Sequence, residues 1–179
     1  MRNMWKVAVL AATAAAACAG PSGSQQANQP SQAAQASAPT VETRWLRGLW
    51  ADDVKDALRP LGLTCKGPVM ENRTNVWTCE SGTPLVTYKV RIFGVAPGKI
   101  DYINAVVTQS GAAKDALPLR LFGALGGLRF EGADAEKARA WMEATMTAGG
   151  ATAIGPARYK LSGEAGRRVL DLKSADSEW

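Results

Sequence analysis

Between Val7 and Val41 this chain carries not one charged residue, and that interval decides which part of it can fold. Val7 to Ala17 is a run of apolar and small residues. From Ala19 to Thr40 only Ala, Gln, Ser, Pro, Gly, Asn and a single Thr occur. Such a segment has almost no large apolar surface to bury, so it cannot offset the entropy lost on ordering. It reads as a disordered tether over residues 18–42, with an end-to-end reach of about 25 Å. The core must therefore come from the C-terminal three quarters of the chain. Near Thr43 the composition shifts to Trp, Leu, Val and Arg, and five of the six Trp (Trp45, Trp50, Trp77, Trp141, Trp179) lie beyond that point. Residues 43–179 are enough for one domain of ordinary size.

The start of the chain reads as an address. Arg2 and Lys6 make a cationic stretch, an eleven-residue apolar run comes next, and small residues lead to Cys18. This is the layout of an export signal over residues 1–17, and the run is too short for a permanent span, which needs about 20 apolar residues. Ala15-Ala16-Ala17-Cys18 resembles the lipobox of bacterial lipoproteins, although that family usually has Leu where Ala15 stands. The resemblance implies that Cys18 becomes the lipidated first residue of the mature chain. It also implies an extracytoplasmic domain tethered to a membrane, at the outer membrane in a cell with two, because Ala19 is not the Asp that commonly retains lipoproteins at the inner one. Two alternatives stay open. Ala17-Cys18-Ala19 also satisfies the small-x-small rule for simple secretion, and the segment could be a buried N-terminal helix with an incidental cysteine.

With Cys18 lipidated or removed, Cys65 and Cys79 form an even pair, which outside the cytoplasmic membrane is most economically a disulfide. They sit on two arms, 64–69 and 75–79, around the polar turn Glu71-Asn72-Arg73-Thr74. Cysteines facing each other on such arms fall within bonding range.

Periodicity gives the rest of the fold. A helix is expected from Thr43 to Arg59, with Trp50, Val54, Leu58 and Leu61 on one stripe and Pro60 and Gly62 as the stop. Leu85 to Phe93 alternates as a half-buried strand, and a turn at 94–98 returns it through Lys99 to Gln109. The expected register pairs Ile92 with Ile100, Val90 with Tyr102, Val86 with Val106 and Arg91 with Asp101. Helices are expected from Asp115 to Leu125, with Asp115 as N-cap and Pro118 in the first turn, and from Asp134 to Thr147. Two strands, Arg158–Leu161 and Arg167–Lys173, close the chain. Grouped strands joined by tight turns point to an α+β fold: one domain, an antiparallel sheet and helices on one face. The plan is similar to small helix-on-sheet periplasmic lipoprotein domains.

Catalytic motifs do not emerge. The chain has no histidine, so Ser-His-Asp and Cys-His arrangements and the commonest metal ligand are missing from it. Two thiols do not make a zinc site, and no Walker loop, G-x-S-x-G or G-x-G-x-x-G occurs. Gly123 to Gly127 contains a G-x-x-x-G that fits a helix end better than a membrane contact. No metal, cofactor or catalytic residue is expected, and a binding or envelope-assembly role outranks an enzyme; a carrier or sensor of a small apolar ligand is the alternative. One charged grouping stands out: Arg158 and Lys160 share a strand face, with Arg167 and Arg168 across the turn. Removing Arg2 and Lys6 lowers the formal charge from +5 to +3. Such a patch suits anionic lipid headgroups, cell-envelope polymers or an acidic partner. The bland alternative is a solvated strand face. Nucleic acid is not expected as a partner of an exported chain with so modest a charge.

Overall fold

The computed structural model describes residues 44–111, 116–164 and 166–177. The export signal 1–17, Cys18, the tether 18–42 and the Asp115 cap lie outside them. The elements in chain order are α1 (Ala51–Leu58), a 3-10 turn (Arg59–Leu61), β1 (Thr64–Glu71), β2 (Thr74–Gly82), β3 (Val86–Ala96), β4 (Lys99–Gln109), α2 (Ala116–Gly126), α3 (Ala135–Thr145), β5 (Gly150–Ile154), β6 (Ala157–Glu164) and β7 (Arg167–Ser174). All seven strands join one antiparallel sheet in the order β1-β2-β3-β4-β7-β6-β5. The fold is α+β. Two meanders meet at the β4–β7 pair, and α2 and α3 carry the chain across β7 and β6 to reach the far edge.

The first helix is shorter than its stripe suggests. Gly48 takes φ +75°, a left-handed conformation that a helix cannot contain, so the segment before it is a turn and α1 begins only at Ala51. Trp50 is the N-cap, and the Asp53 carboxylate accepts its backbone N–H at 2.9 Å. Val54 and Leu58 reach the core, while Trp50 faces solvent. In α3, Asp134 caps the helix by accepting the Lys137 N–H at 3.0 Å.

Asn72 and Arg73, at φ +46° and +65°, form the two-residue turn between β1 and β2. The hairpin sets Cys65 opposite Cys79, and the two are disulfide-bonded. The β3–β4 hairpin departs from the expected register. Its turn is the tight Pro97-Gly98, and Ile92 faces Ile103, Val90 faces Ala105, Val86 faces Gln109 and Arg91 faces Asn104. The slip along β4 is three residues, from Ile100 to Ile103, an odd number that exchanges the strand's faces. The two-residue turn produces it: Ala96 already pairs with Lys99 where the expected turn spans 94–98, and the irregularities on either side of Gly94 cancel. A Cβ on Gly94 would stand 2.3 Å from the Lys99 carbonyl oxygen, so this approach needs glycine. As a result Ile103, Ala105 and Val107 enter the core, while Tyr102 and Val106 turn to the other face.

Three strands, not two, close the chain. β5 has only Gly, Ala and Thr before Ile154, with no alternation to announce it, and it exists because β6 supplies a ladder. The core collects Trp77, Cys79, Val90, Ile92, Ile103, Ala105, Val107, Tyr159, Leu161, Leu170 and Leu172 from one sheet face. Val54 and Leu58 of α1, Leu121, Phe122 and Leu125 of α2, and Ala138 and Met142 of α3 pack against that face. Among the described residues no helix covers the opposite face.

Candidate functional site

The uncovered face is laid out by the strand pairing alone. One row across the sheet runs Val76, Phe93, Tyr102, Lys173, Arg158. The next runs Thr78, Arg91, Asn104, Asp171, Lys160, and a third Glu80, Lys89, Val106, Val169, Ser162. A fourth holds Thr87, Thr108, Arg167 and Glu164. Cations outnumber carboxylates on this face, and the excess lies toward β7 and β6.

On the β3 side the charges are matched. Lys89 and Glu80 pair at 2.8 Å, and the Lys89 ammonium holds the Glu80 carboxyl below its usual range. Arg91 meets Glu71 at 2.5 Å and lays its guanidinium over the Phe93 ring, 4.8 Å from the centroid. Phe93 in turn stacks on Tyr102 at 5.1 Å. The Tyr102 hydroxyl donates to Asp171, and Asn104 Nδ2 donates to the same carboxylate oxygen at 2.7 Å. Burial first, and then the hydrogen bond to Asp171, push the Tyr102 phenol well above its ordinary range. It is therefore a fixed donor. The centre of the face is a rigid aromatic and amide platform bordered by cations.

The grouping read from the last hairpin is brought together only in part. Arg158 and Lys160 lie side by side on the uncovered face, and Arg167 joins them, opposite Glu164. Arg168 does not. As the next residue along β7 it points to the helix face, where it is 7 % exposed and donates Nη1 to the Gly163 carbonyl at 2.9 Å. Consecutive strand residues cannot share a face, so the fourth cation of the expected patch has to be withdrawn. Lys173, two residues from Asp171, stands beside Arg158 in its stead, but it is largely covered. Tyr102, Asn104 and Asp171 were not anticipated as a group. Their alternation is visible in the sequence, but their proximity depends on the β4–β7 pairing, which joins residues 69 and 67 positions apart.

A cleft of about 610 Å³ opens at the β2–β3 end of this face, lined by Glu80, Thr83, Pro84, Thr87 and Lys89, and others lie elsewhere. One of about 250 Å³ is lined by Trp45, Arg47, Glu131, Pro156, Ser174 and Asp176. Another of about 90 Å³ opens between the 3-10 turn, β3 and α2, at Leu61, Tyr88, Leu117 and Leu121. That is well below the several hundred Å³ of a typical small-molecule site. Among the described residues no group of three or more Cys, Asp or Glu side chains could hold a metal ion, and no helix is long and apolar enough to cross a membrane.

Asp101, the bulge residue of β4, is the other unusual acid. Its Oδ1 is buried with no hydrogen-bond partner, and burial raises its pKa despite backbone donors from Asp101 and Tyr102. A carboxyl whose folded pKa is raised binds its proton more tightly folded than unfolded. It thus costs stability as pH rises from its ordinary pKa through the raised one. Asp101→Asn is expected to raise the melting temperature at neutral pH and to have little effect under acid conditions where both forms are uncharged. Thermal melts across that range check the sign.

The fold and this face define the protein as an α+β domain with a one-sided helical cover. Comparison with known proteins adds no family: no protein-family model, no curated protein and no solved structure matches the chain.

Proposed function

We propose that the chain is a membrane-tethered extracytoplasmic binding module, anchored through Cys18, that docks an anionic polymer or acidic protein of the cell envelope on its uncovered sheet face. The observation that carries the reading is the placement of Arg158, Lys160 and Arg167 together at the β6–β7 side of a face without a helical cover. The Tyr102–Asn104–Asp171 platform beside them is held by its own hydrogen bonds, so it presents a surface with little ordering entropy to lose on binding. The lipobox-like leader and the bonded Cys65–Cys79 pair suit an oxidising compartment. The cations act mainly through encounter rate and are screened by salt.

The test is reversal of two charges. Arg158→Glu with Lys160→Glu is expected to reduce retention of the protein on isolated envelope material, more at low than at high ionic strength. Stability should stay within about 0.5 kcal/mol, since exposed strand charges contribute little. Retention unchanged at low salt would leave the cations as a solvated face and overturn the docking surface.

A further inference from the structure

Five large apolar side chains are exposed among the described residues: Trp50, Val69, Met70, Leu85 and Val95. Four of them gather at one end of the sheet. Val69 and Met70 flank the β1–β2 turn, paired with Val76 and Asn75, and Asn75 pairs in turn with Gly94. Asn75 Nδ2 also donates to the Val95 carbonyl at 3.0 Å, which ties that hairpin to the tip of β3–β4. Trp50 lies against Gly98 of the same tip, and the Ala51 N–H donates to the Pro97 carbonyl at 2.7 Å. Their exposures are high: 56 % for Trp50, 60 % for Val69, 66 % for Met70 and 47 % for Val95. Val69 and Met70, consecutive on β1, turn to opposite faces, so these large side chains from three separate segments rim the end of the sheet on both sides.

The charge presented around the patch is positive. Arg44, Arg73 and Lys99 are exposed at this end, with the Lys99 ammonium 5.9 Å from the Trp45 ring centroid. Of the neighbouring acids, Glu71 pairs with Arg91, Asp52 with Lys55 and Asp53 with the Trp50 N–H, while Asp101 is partly buried with an unpartnered Oδ1. Here too the chain enters the domain. The described residues begin at Arg44, and the Leu46 N–H donates to the Ile100 carbonyl at 2.8 Å, beside the same turn.

We infer that this end is a bilayer seat: Trp50, Met70, Val69 and Val95 insert at the headgroup boundary, and Arg44, Arg73 and Lys99 meet anionic headgroups. Tryptophan suits that depth because its ring is apolar and its N–H can stay hydrated. Juxtamembrane cations add attraction to an anionic surface within a Debye length. Lipidation at Cys18, as proposed, would hold the chain at the surface without orienting the domain. The seat would supply the orientation, standing the sheet on end so that its uncovered face looks sideways along the membrane. The inference rests on the extracytoplasmic, tethered reading of the leader.

The test uses the mature full-length chain with vesicles of phosphatidylcholine, with and without phosphatidylglycerol, carrying brominated acyl chains that quench nearby tryptophan. The expected result is quenching of the intact protein, stronger on the anionic vesicles. Trp50→Phe should remove much of the quenching while leaving vesicle partition nearly intact. Met70→Gln with Val95→Asn and Trp50→Ser should lower partition of the Cys18→Ser chain roughly tenfold or more, given the apolar area withdrawn from the membrane. Absence of quenching in a chain held on vesicles overturns the seat, as does quenching that survives the triple variant. Protection of these side chains from labelling in intact envelopes but not on protein-free vesicles would assign the patch to a protein and overturn it equally. Failure of the anchor is read separately: native chain and Cys18→Ser would then partition alike, while quenching of the Cys18→Ser chain still reports on the seat.

Discussion

Trp77→Ala is expected to destabilise the domain by about 3–5 kcal/mol, the range for deleting a buried aromatic side chain. Trp77 is 2 % exposed and heads the largest fully buried side chains. It lies on the helix face of β2 opposite Ile92, in the same cluster as Val54 and Leu58 of α1, and the Lys55 ammonium sits 5.7 Å from its ring centroid. Truncation removes the area that α1 packs against and leaves a cavity that the sheet cannot close, because β2 is held between β1 and β3 on both sides. Urea denaturation should show a lower midpoint with an unchanged slope. Trp77→Phe should recover a large part of the loss. If Trp77→Ala were as stable as the native chain, the packing of α1 on β2 would have to be abandoned.

Removing the cross-link comes next in size. Cys65→Ala with Cys79→Ala, or reduction of the native protein, is expected to cost about 3 kcal/mol in the chain-entropy account of a loop of this length. In a domain of this size that lowers the melting temperature by roughly 10 °C. The bridge spans 14 positions in sequence and joins β1, whose side chains are nearly all exposed, to the fully buried Cys79. β1 is an edge strand with a bulge between Lys66 and Val69 and a Pro68 that cannot donate to the ladder. It therefore has little besides its ladder and the disulfide to hold it. Hydrogen exchange in the reduced protein should report early opening of β1, with β3, β4 and β7 still protected. Equal protection of β1 in both states would show that the bridge contributes only through the unfolded chain.

The two variants probe neighbouring positions on the same face of β2, and they bear on the proposed surfaces. Val69 and Met70 belong to β1, so a reduced protein should lose part of the apolar end before it loses the β6–β7 cations. Comparing retention on envelopes with partition onto vesicles under reducing conditions thus separates the two surfaces without a further substitution.

Most of the elements were legible in the sequence because their signals are local. Pro60 and Gly62 stop a helix whatever lies beyond them, Asn72-Arg73 between two alternating arms makes a hairpin, and two cysteines placed on those arms meet in register. Val86 to Ile92 alternates, which marks one strand of a half-covered sheet. Polarity, spacing and turn chemistry therefore determined an antiparallel sheet with helices on one side and a bonded Cys65–Cys79 pair. The face that each side chain takes was settled only by tertiary pairing. The tight Pro97-Gly98 turn shifts the register of β4 by three residues, and with it the roles of Tyr102, Ile103 and Val106, because a strand's period of two turns any odd slip into an exchange of inside and outside. β5 and the burial of Arg168 depend on neighbours contributed by β6 and β7. The platform at Asp171 and the apolar end at Trp50, Met70 and Val95 join residues far apart in the chain, and no local pattern carries information about such meetings.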